Sequence, residues 1–185
     1  YRSNLGSSYV EVRMQDIKSN SFIVKNGVLQ ASTMENTSGV GIRFLYKNAL
    51  GFASINQLNK KDIKLILDSS FALTKRSTQM NDKIILTDEK IYHKKYKVAQ
   101  KIKLQNVSPA EKINLLKDLY KTSINTKVKL PNTFFSYGDD IISQLFVNSD
   151  GTRIFSEIPR VSIHSVLTIE TNKKTSQRYL EKGSS

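Results

Sequence analysis

The amino-acid sequence predicts an α+β fold: an antiparallel β-sheet meander with helices packed on one face, followed by further β-hairpin strands. Three observations lead to this prediction. Residues 9–55 alternate between apolar and polar side chains and contain Asn26-Gly27, a strong hairpin signal because both residues tolerate positive φ. Segments 59–75 and 108–124 carry apolar residues at helical spacing. Asp150-Gly151 marks a second hairpin, and an order of strands, helices and strands is typical of the α+β class.

The meander is predicted to contain four or five strands. Tyr9–Met14 alternates and gives the first strand, Ser21–Lys25 gives the second, and Val28–Thr33 returns after the Asn26-Gly27 turn. Residues 39–55 add a further antiparallel pair, with its polar tip at Lys47-Asn48.

Two helices are expected after the meander. Asn59 is a suitable N-cap for the first, and Asp62 lies near its positive end. Ser108, Pro109 and Glu111 form a capping box with the favoured proline at the start of the second helix. The segment between them, 76–104, is expected to be irregular or strand-like.

Strands are expected again after the second helix. Ile141–Asn148 and Thr152–Glu157 flank the Asp150-Gly151 turn, and a third strand contains Val161 and continues to Ile169. The last residues, 173–185, are polar and are expected to be turn-prone. By position along the chain, we divide the sequence into residues 1–75, the meander plus a helix, and residues 76–185, a helix plus the hairpin region.

Composition sets broad limits on the protein. The chain has 185 residues, 38% of them hydrophobic, which suits one domain or one and a half. We expect neither a membrane-spanning helix nor a signal peptide, because long apolar runs are missing. The sequence has no cysteine, which excludes disulfides and thiolate metal sites within it and fits a cytoplasmic location.

The net charge of +13 favours contact with an anionic partner. Lysines are spread widely, and only residues 91–103 form a dense basic run, interleaved with Tyr92 and Tyr96. Such a run suits weak, non-specific nucleic-acid binding, but a solvated strand or loop has the same composition. Both interpretations stay open at this point.

Three glycines fall within the predicted strand pair of residues 39–55. Gly39, Gly41 and Gly51 each remove a side chain from a strand, which permits either a bulge or the close approach of another backbone. One interpretation is tight packing against a helix, and the other is an edge along which a substrate or partner lies. Arg43 is a candidate for the same edge, or for an ion pair with Glu11 or Glu35.

No catalytic residue and no metal ligand is predicted. The two histidines, His93 and His164, lie in segments that resemble strands, and a zinc site needs three protein ligands in one geometry. Asp139-Asp140 could form a carboxylate pair, but adjacent strand residues point to opposite faces. A cap for a turn after Gly138 is the preferred interpretation.

The order of these motifs resembles the N-terminal domain of the TldD/PmbA family. The residues concerned are Lys25, Asn26 and Gly27, then the run Gly39 to Arg43, then Gly51, Phe52 and Ala53. Residues 147–171 also resemble a hairpin and following strand of that family. The likeness extends over roughly residues 9–185 and is weakest at 76–104.

The resemblance implies that this chain is the non-catalytic N-terminal lobe of a zinc metallopeptidase, in a family also described as modulators of DNA gyrase. It implies hydrolysis of small or unfolded polypeptides, with zinc held in another domain by a His-Glu-x-x-x-His motif that this sequence lacks. It also implies a dimer, of two copies or with a homologue, and inactivity of this chain alone. A basic module that binds nucleic acid or associates with gyrase is the alternative.

Overall fold

The structure is a computed structural model that describes residues 7–56, 59–78, 84, 86–172 and 174–184. The chain divides into two compact units. The first unit comprises Tyr1–Ile17, Thr37–Lys97 and Ile142–Glu157, and the second comprises Lys18–Asn36, Val98–Ile141 and Ile158–Ser185. The division by chain position into residues 1–75 and 76–185 stays a prediction.

The described residues form seven β-strands, two α-helices and one 3-10 helix. The strands are β1 (Tyr9–Lys25), β2 (Val28–Tyr46), β3 (Ala49–Ile55), β4 (His93–Lys97), β5 (Lys129–Asn148), β6 (Arg153–Thr171) and β7 (Lys174–Ser184). The helices are α1 (Lys60–Ser77) and α2 (Pro109–Ile124), with the 3-10 helix at Leu104–Asn106.

The strand order is β3-β2-β1-β5-β6-β4, and β7 also pairs with β6. The β2–β3 and β6–β7 pairs are antiparallel, whereas β4 runs parallel to β6. This architecture confirms the predicted α+β class.

The meander holds three strands, so the prediction of four or five is wrong. Tyr9–Met14 and Ser21–Lys25 belong to the single strand β1, and Val28–Thr33 is the beginning of the 19-residue strand β2. The polar residues between the predicted strands do not end β1, since a strand with one face toward solvent tolerates them. No proline or glycine lies between residues 9 and 25 to interrupt it.

The later strands were also predicted too short. Ile141–Asn148 is the end of β5, which begins at Lys129, and the strands predicted on either side of Pro159 are one strand, β6. Pro159 lies after the part of β6 that pairs with β4, which ends at Glu157, and before the part that pairs with β7. Pro159, which has no N–H to donate, therefore lies outside both of these ladders.

The chain end is a strand and not turn-prone, because β7 pairs with β6 from Lys174 to Ser184. Asp139 and Asp140 lie within β5, so the prediction that they cap a turn after Gly138 is wrong too. In the segment 76–104, α1 continues to Ser77 and β4 is a regular strand, while residues 79–83 and 85 lie outside the described residues.

The predicted turns are confirmed by positive φ angles at their tips. Asn26 and Gly27 have φ of 48° and 79°, and Lys47 and Asn48 have φ of 43° and 66°. Gly151 has φ of 108°, a conformation that side chains with a Cβ rarely adopt.

Both predicted helix caps are confirmed. Asn59 Oδ1 accepts a hydrogen bond from the backbone N of Lys61 at 2.9 Å. In α2, the backbone N of Glu111 donates to Ser108 Oγ at 3.2 Å, and the backbone N of Ser108 donates to Glu111 Oε2 at 2.7 Å. Hydrogen bonds from the side chain and backbone of Ser108 lower the pKa of Glu111 by stabilising its ionised form. Among the described helices, none has the length and hydropathy needed to cross a membrane.

Each unit has its own apolar core, formed by strand residues and one helix. In the first unit, Leu67 of α1 packs with buried strand residues, namely Val40, Ile42, Phe44 and Ala53. In the second unit, Leu116 of α2 packs with Phe22, Val24, Phe135 and Tyr137. Burial of these side chains stabilises each helix against its strands.

Candidate functional site

A groove lies in the first unit, on the face of the strands that α1 does not cover. Val40 and Ile42 point toward Leu67 of α1, so Gly41 between them points to the other face. The groove has a volume of about 780 Å³ and is formed by β1, β2, β3 and the residues next to them. The residues that line the groove include Glu11, Arg13, Gly39, Gly41, Arg43 and Phe52.

Two of the three glycines predicted as site residues line this groove, and the fold does not require glycine at either position. A Cβ on Gly39 would lie 3.4 Å from the carbonyl oxygen of Ile55, and a Cβ on Gly41 would lie 3.5 Å from the ring of Phe52. These are ordinary van der Waals distances, and neither glycine has a positive φ. Gly39 and Gly41 therefore form an open floor of the groove. Any other residue type at these two positions would place a side chain in that space.

Gly51 has a different environment. It is buried in β3, and a Cβ there would collide with the ring of Phe44 and with Oγ1 of Thr74 in α1. The structure thus brings Gly39, Gly41 and Arg43 together in the groove and leaves Gly51 on the helix side. For Gly51, packing against the helix is the interpretation that the geometry favours.

An ion pair lies at one part of the groove. Nη2 of Arg43 donates to Oε2 of Glu11 at 2.8 Å, which is one of the two partners expected from the sequence. The hydroxyl of Tyr9 donates to the same oxygen at 2.8 Å. The hydrogen bond to Glu11 raises the pKa of Arg43, and burial raises the pKa of Tyr9. Glu11 is buried, so Arg43 compensates a carboxylate that water reaches poorly.

Arg13 is a groove residue that the sequence reasoning missed. Its guanidinium carbon lies over the ring of Phe146, 5.6 Å from the ring centroid. Among the residues that the structure describes, no carboxylate forms an ion pair with it. Its position two residues after Glu11, on the same face of β1, was the available signal.

A second feature missed from the sequence is a buried charge network in the second unit. Nζ of Lys112 lies 2.6 Å from Oδ2 of Asp139, and Nδ2 of Asn20 donates to Oδ1 of Asp139 at 2.7 Å. Burial and a hydrogen bond to Asp139 raise the pKa of Tyr137. The charges compensate each other, which fits a structural role in fixing α2 to the strands.

The histidines and Asp140 do not assemble into a metal site. His93 begins β4 and His164 lies in β6, next to the ring of Phe134 at 6.5 Å between centroids. Within the described parts of the chain, no group of three or more His, Cys, Asp or Glu side chains could hold a metal ion. The residues present therefore do not fit a catalytic zinc, which needs three such ligands.

The basic run predicted from the sequence includes the exposed strand β4. The ammonium groups of Lys95 and Lys97 lie 5.9 and 5.7 Å from the ring centroid of Phe155. Lys97 also pairs with Glu157 at 2.8 Å, which offsets part of the positive charge, while Tyr96 is exposed.

The architecture defines an α+β module with a groove on one sheet face and without a metal cluster in its described residues. Comparison with known proteins places this module in a family. Residues 10–74 match the PmbA/TldA metallopeptidase domain 1, and residues 102–184 match the PmbA/TldA metallopeptidase central domain. The chain belongs to the PmbA/TldD metallopeptidase family.

A related sequence supports this assignment. The chain is 31% identical over 153 residues to the metalloprotease MJ0996 of Methanocaldococcus jannaschii, covering 82% of this chain and 34% of that protein. The chain thus spans about a third of the length of that relative.

Solved structures share the fold. A proposed modulator of DNA gyrase from Bacteroides thetaiotaomicron aligns with a TM-score of 0.80 and 18% identity, over 100% of this chain and 42% of the other. TldE from Thermococcus kodakarensis aligns with a TM-score of 0.73 and 13% identity, over 98% of this chain and 40% of the other. At these identities the likeness shows the fold alone.

Proposed function

We propose that this chain is the non-catalytic N-terminal lobe of a PmbA/TldD-like metallopeptidase, where it shapes substrate access for the hydrolysis of small or unfolded polypeptides. The observation that carries the proposal is the groove whose floor contains Gly39 and Gly41. The fold would accept a Cβ at both positions, so packing does not require glycine there. We infer that the two glycines keep the space above them open for a ligand. An extended polypeptide is the ligand whose backbone fits closely over such a floor.

In this proposal the chain has no hydrolase activity of its own. Zinc and the residues that activate water belong to a part of the longer protein that this chain does not contain, since the described residues offer no three-ligand set. The lobe would bind and orient the polypeptide, which lowers the entropy cost of its reaction at the zinc centre. We place the longer protein in the cytoplasm, in keeping with the absence of cysteine.

The lobe is also proposed to contribute to a dimer, of two copies or with a family homologue. Supporting this, every described residue of β7 is exposed, and the strand pairs only with β6 among the described strands. An edge strand of eleven residues offers unpaired backbone groups that another chain could pair with.

The test is polypeptide binding by the chain with and without the open floor. Fluorescence anisotropy with a labelled mixture of random ten-residue peptides should detect binding to the wild type. Gly41→Val should weaken it, because the branched side chain occupies the floor, while the melting temperature stays close to wild type. Ser32→Val is the matched control, since Ser32 is exposed on β2 outside the groove.

Two results would overturn the proposal. Equal peptide binding by the wild type and Gly41→Val would show that the groove is not the site. Peptide cleavage by the metal-free chain would show that it is not a non-catalytic lobe.

Nucleic acid is the second candidate ligand, and strand β4 is the observation that favours it. Exposed lysines with the exposed ring of Tyr96 are the side chains that contact phosphates and stack on bases. The ion pair between Lys97 and Glu157 reduces the net charge there, so we rank this function second.

A further inference from the structure

We propose that Arg13 makes the groove selective for polypeptides that carry a carboxylate, either an acidic side chain or a free C-terminus. The inference rests on the proposed function, because it specifies the polypeptide that the same groove takes. It follows from the way charge is distributed between Arg13, Arg43 and Glu11.

The two arginines of the groove are in different electrostatic states. Arg43 is paired with Glu11 at 2.8 Å, so its charge is largely compensated. Arg13 is exposed and has no carboxylate partner among the described residues. The groove therefore keeps one uncompensated positive charge, and that charge belongs to Arg13.

Arg13 is also held in place. Its guanidinium lies over the ring of Phe146, 5.6 Å from the centroid, which favours one placement of an otherwise flexible side chain. A guanidinium has a planar set of donors that matches the two oxygens of a carboxylate, and a prepositioned one loses less entropy on binding. A carboxylate is thus the group that Arg13 is suited to bind.

The position of Arg13 relative to the floor defines the ligand further. Arg13 is on β1, which neighbours β2 in the sheet, and neighbouring strands are about 4.8 Å apart. A chain extended over Gly39 and Gly41 would therefore have Arg13 on its β1 side. On its β3 side it would meet Phe52, which is 62% exposed and suits an apolar side chain. The expected ligand is an extended peptide that carries both an acidic and an apolar group.

A polyanion such as nucleic acid fits this groove less well. Binding of a phosphate backbone needs several uncompensated cations, whereas Glu11 here places a carboxylate close to Arg43. A single carboxylate needs only one guanidinium, and Arg13 has no carboxylate partner in the described part of the chain.

The experiment compares labelled peptides that differ at one position, using fluorescence anisotropy with the full chain. One unstructured ten-residue peptide with an apolar residue is made with Glu, Gln or Lys at a neighbouring position, and with a free or amidated C-terminus. The wild type should bind the Glu peptide about tenfold more tightly than the Gln peptide, the factor expected for one charge-assisted hydrogen-bonding contact.

Substitutions assign this preference to Arg13. Arg13→Gln should bind the Glu and Gln peptides equally, and Arg13→Lys should keep part of the preference as a point charge. Arg76→Gln removes the same charge from the exposed side of α1, outside the groove, and should keep the wild-type preference. Circular dichroism melting of each variant checks that it is folded.

The outcomes separate the two proposals. If the peptides bind but the wild type shows no preference for the carboxylate, the Arg13 inference is wrong and the proposed function stands. If no peptide binds and a single-stranded oligonucleotide does, both are wrong. Self-association of the wild type that is lost in Arg13→Gln would show that a second copy occupies the groove, which also overturns the inference.

Discussion

Nζ of Lys112 in α2 lies 2.6 Å from Oδ2 of Asp139 in β5, and the two side chains are only 3% and 2% exposed. Removal of one partner leaves an uncompensated buried charge, which is far more costly than loss of a surface pair. Lys112→Met should therefore lower the free energy of unfolding by about 3–5 kcal/mol in denaturant titrations.

Lys121→Met is the matched control for Lys112→Met. Lys121 pairs with Asp118 in the same helix, but both side chains are mostly exposed, so its loss should cost no more than about 1 kcal/mol. The double variant Lys112→Met with Asp139→Leu should recover part of the stability. Equal effects of the two lysine substitutions would contradict the structural role given to the buried pair.

Alkaline pH should destabilise the chain partly through Tyr137. Burial, and next a hydrogen bond to Asp139, raise the pKa of Tyr137. The folded state then keeps the phenol proton at pH values where the unfolded chain loses it. This contribution is complete below the unfolded pKa of about 10 and is lost as pH rises through the higher folded pKa.

Denaturant titrations from about pH 8 to 11 test this dependence. The stability of the wild type should fall more steeply above about pH 10 than that of Tyr137→Phe. Tyr96→Phe, which changes an exposed tyrosine, should keep the wild-type slope. Parallel curves for the wild type and Tyr137→Phe would rule out this contribution.

Nucleic-acid binding is expected to be weak and to depend steeply on salt. Scattered lysines release counterions from phosphates without reading bases. Anisotropy with DNAs of unrelated sequence should give similar affinities that fall together as salt increases. Each of the single substitutions in β4, Lys94→Gln and Lys95→Gln, should weaken DNA binding more than the control substitution Lys64→Gln in α1. Sequence-dependent binding at physiological salt would favour the nucleic-acid function over the peptide function.

Stoichiometric zinc binding by this chain is not expected. The sequence has no cysteine, and in the described residues no three potential ligands come together. Metal analysis after chelation and reloading with zinc should find much less than one ion per chain, and the chelator should leave the melting temperature unchanged. One tightly held zinc per chain would contradict this prediction and would place a metal site within this chain.

Local sequence signals predicted the turns and the helix starts correctly. The Asn26-Gly27 turn and the Ser108–Glu111 capping box depend on φ preferences and on hydrogen bonds within a few residues, so a single sequence specifies them. The lengths of the strands were harder to predict from the sequence. Whether β1 continues past Met14 depends on pairing with neighbouring strands, and this is not encoded in the polarity of residues 15–20.

The groove could be predicted only in part for a similar reason. The sequence indicated Gly39, Gly41 and Arg43, since glycine in a strand is unusual. It did not show which face each glycine takes relative to α1, which depends on the register between β2 and β3. Nor did it reveal Arg13, whose significance lies in having no carboxylate partner among the described residues of the folded chain.

The contrast between Gly51 and Gly41 gives the most direct test of that register. A methyl group on Gly51 would collide with Phe44, which is completely buried, and with the buried Thr74 of α1, so neither side chain can move aside easily. Gly51→Ala should therefore lower the free energy of unfolding by about 1–3 kcal/mol through overpacking. Gly41→Ala introduces the same methyl group at an ordinary distance from the ring of Phe52, which is exposed and free to adjust. This substitution should leave stability unchanged or raise it slightly, because alanine restricts the unfolded chain.

Thermal melts and denaturant titrations of the two variants provide the measurement. Equal stability of the two alanine variants, or a lower stability of Gly41→Ala, would contradict this prediction. In that case β2 and β3 would present the opposite faces to α1, and Gly39 and Gly41 would not form the floor of the groove.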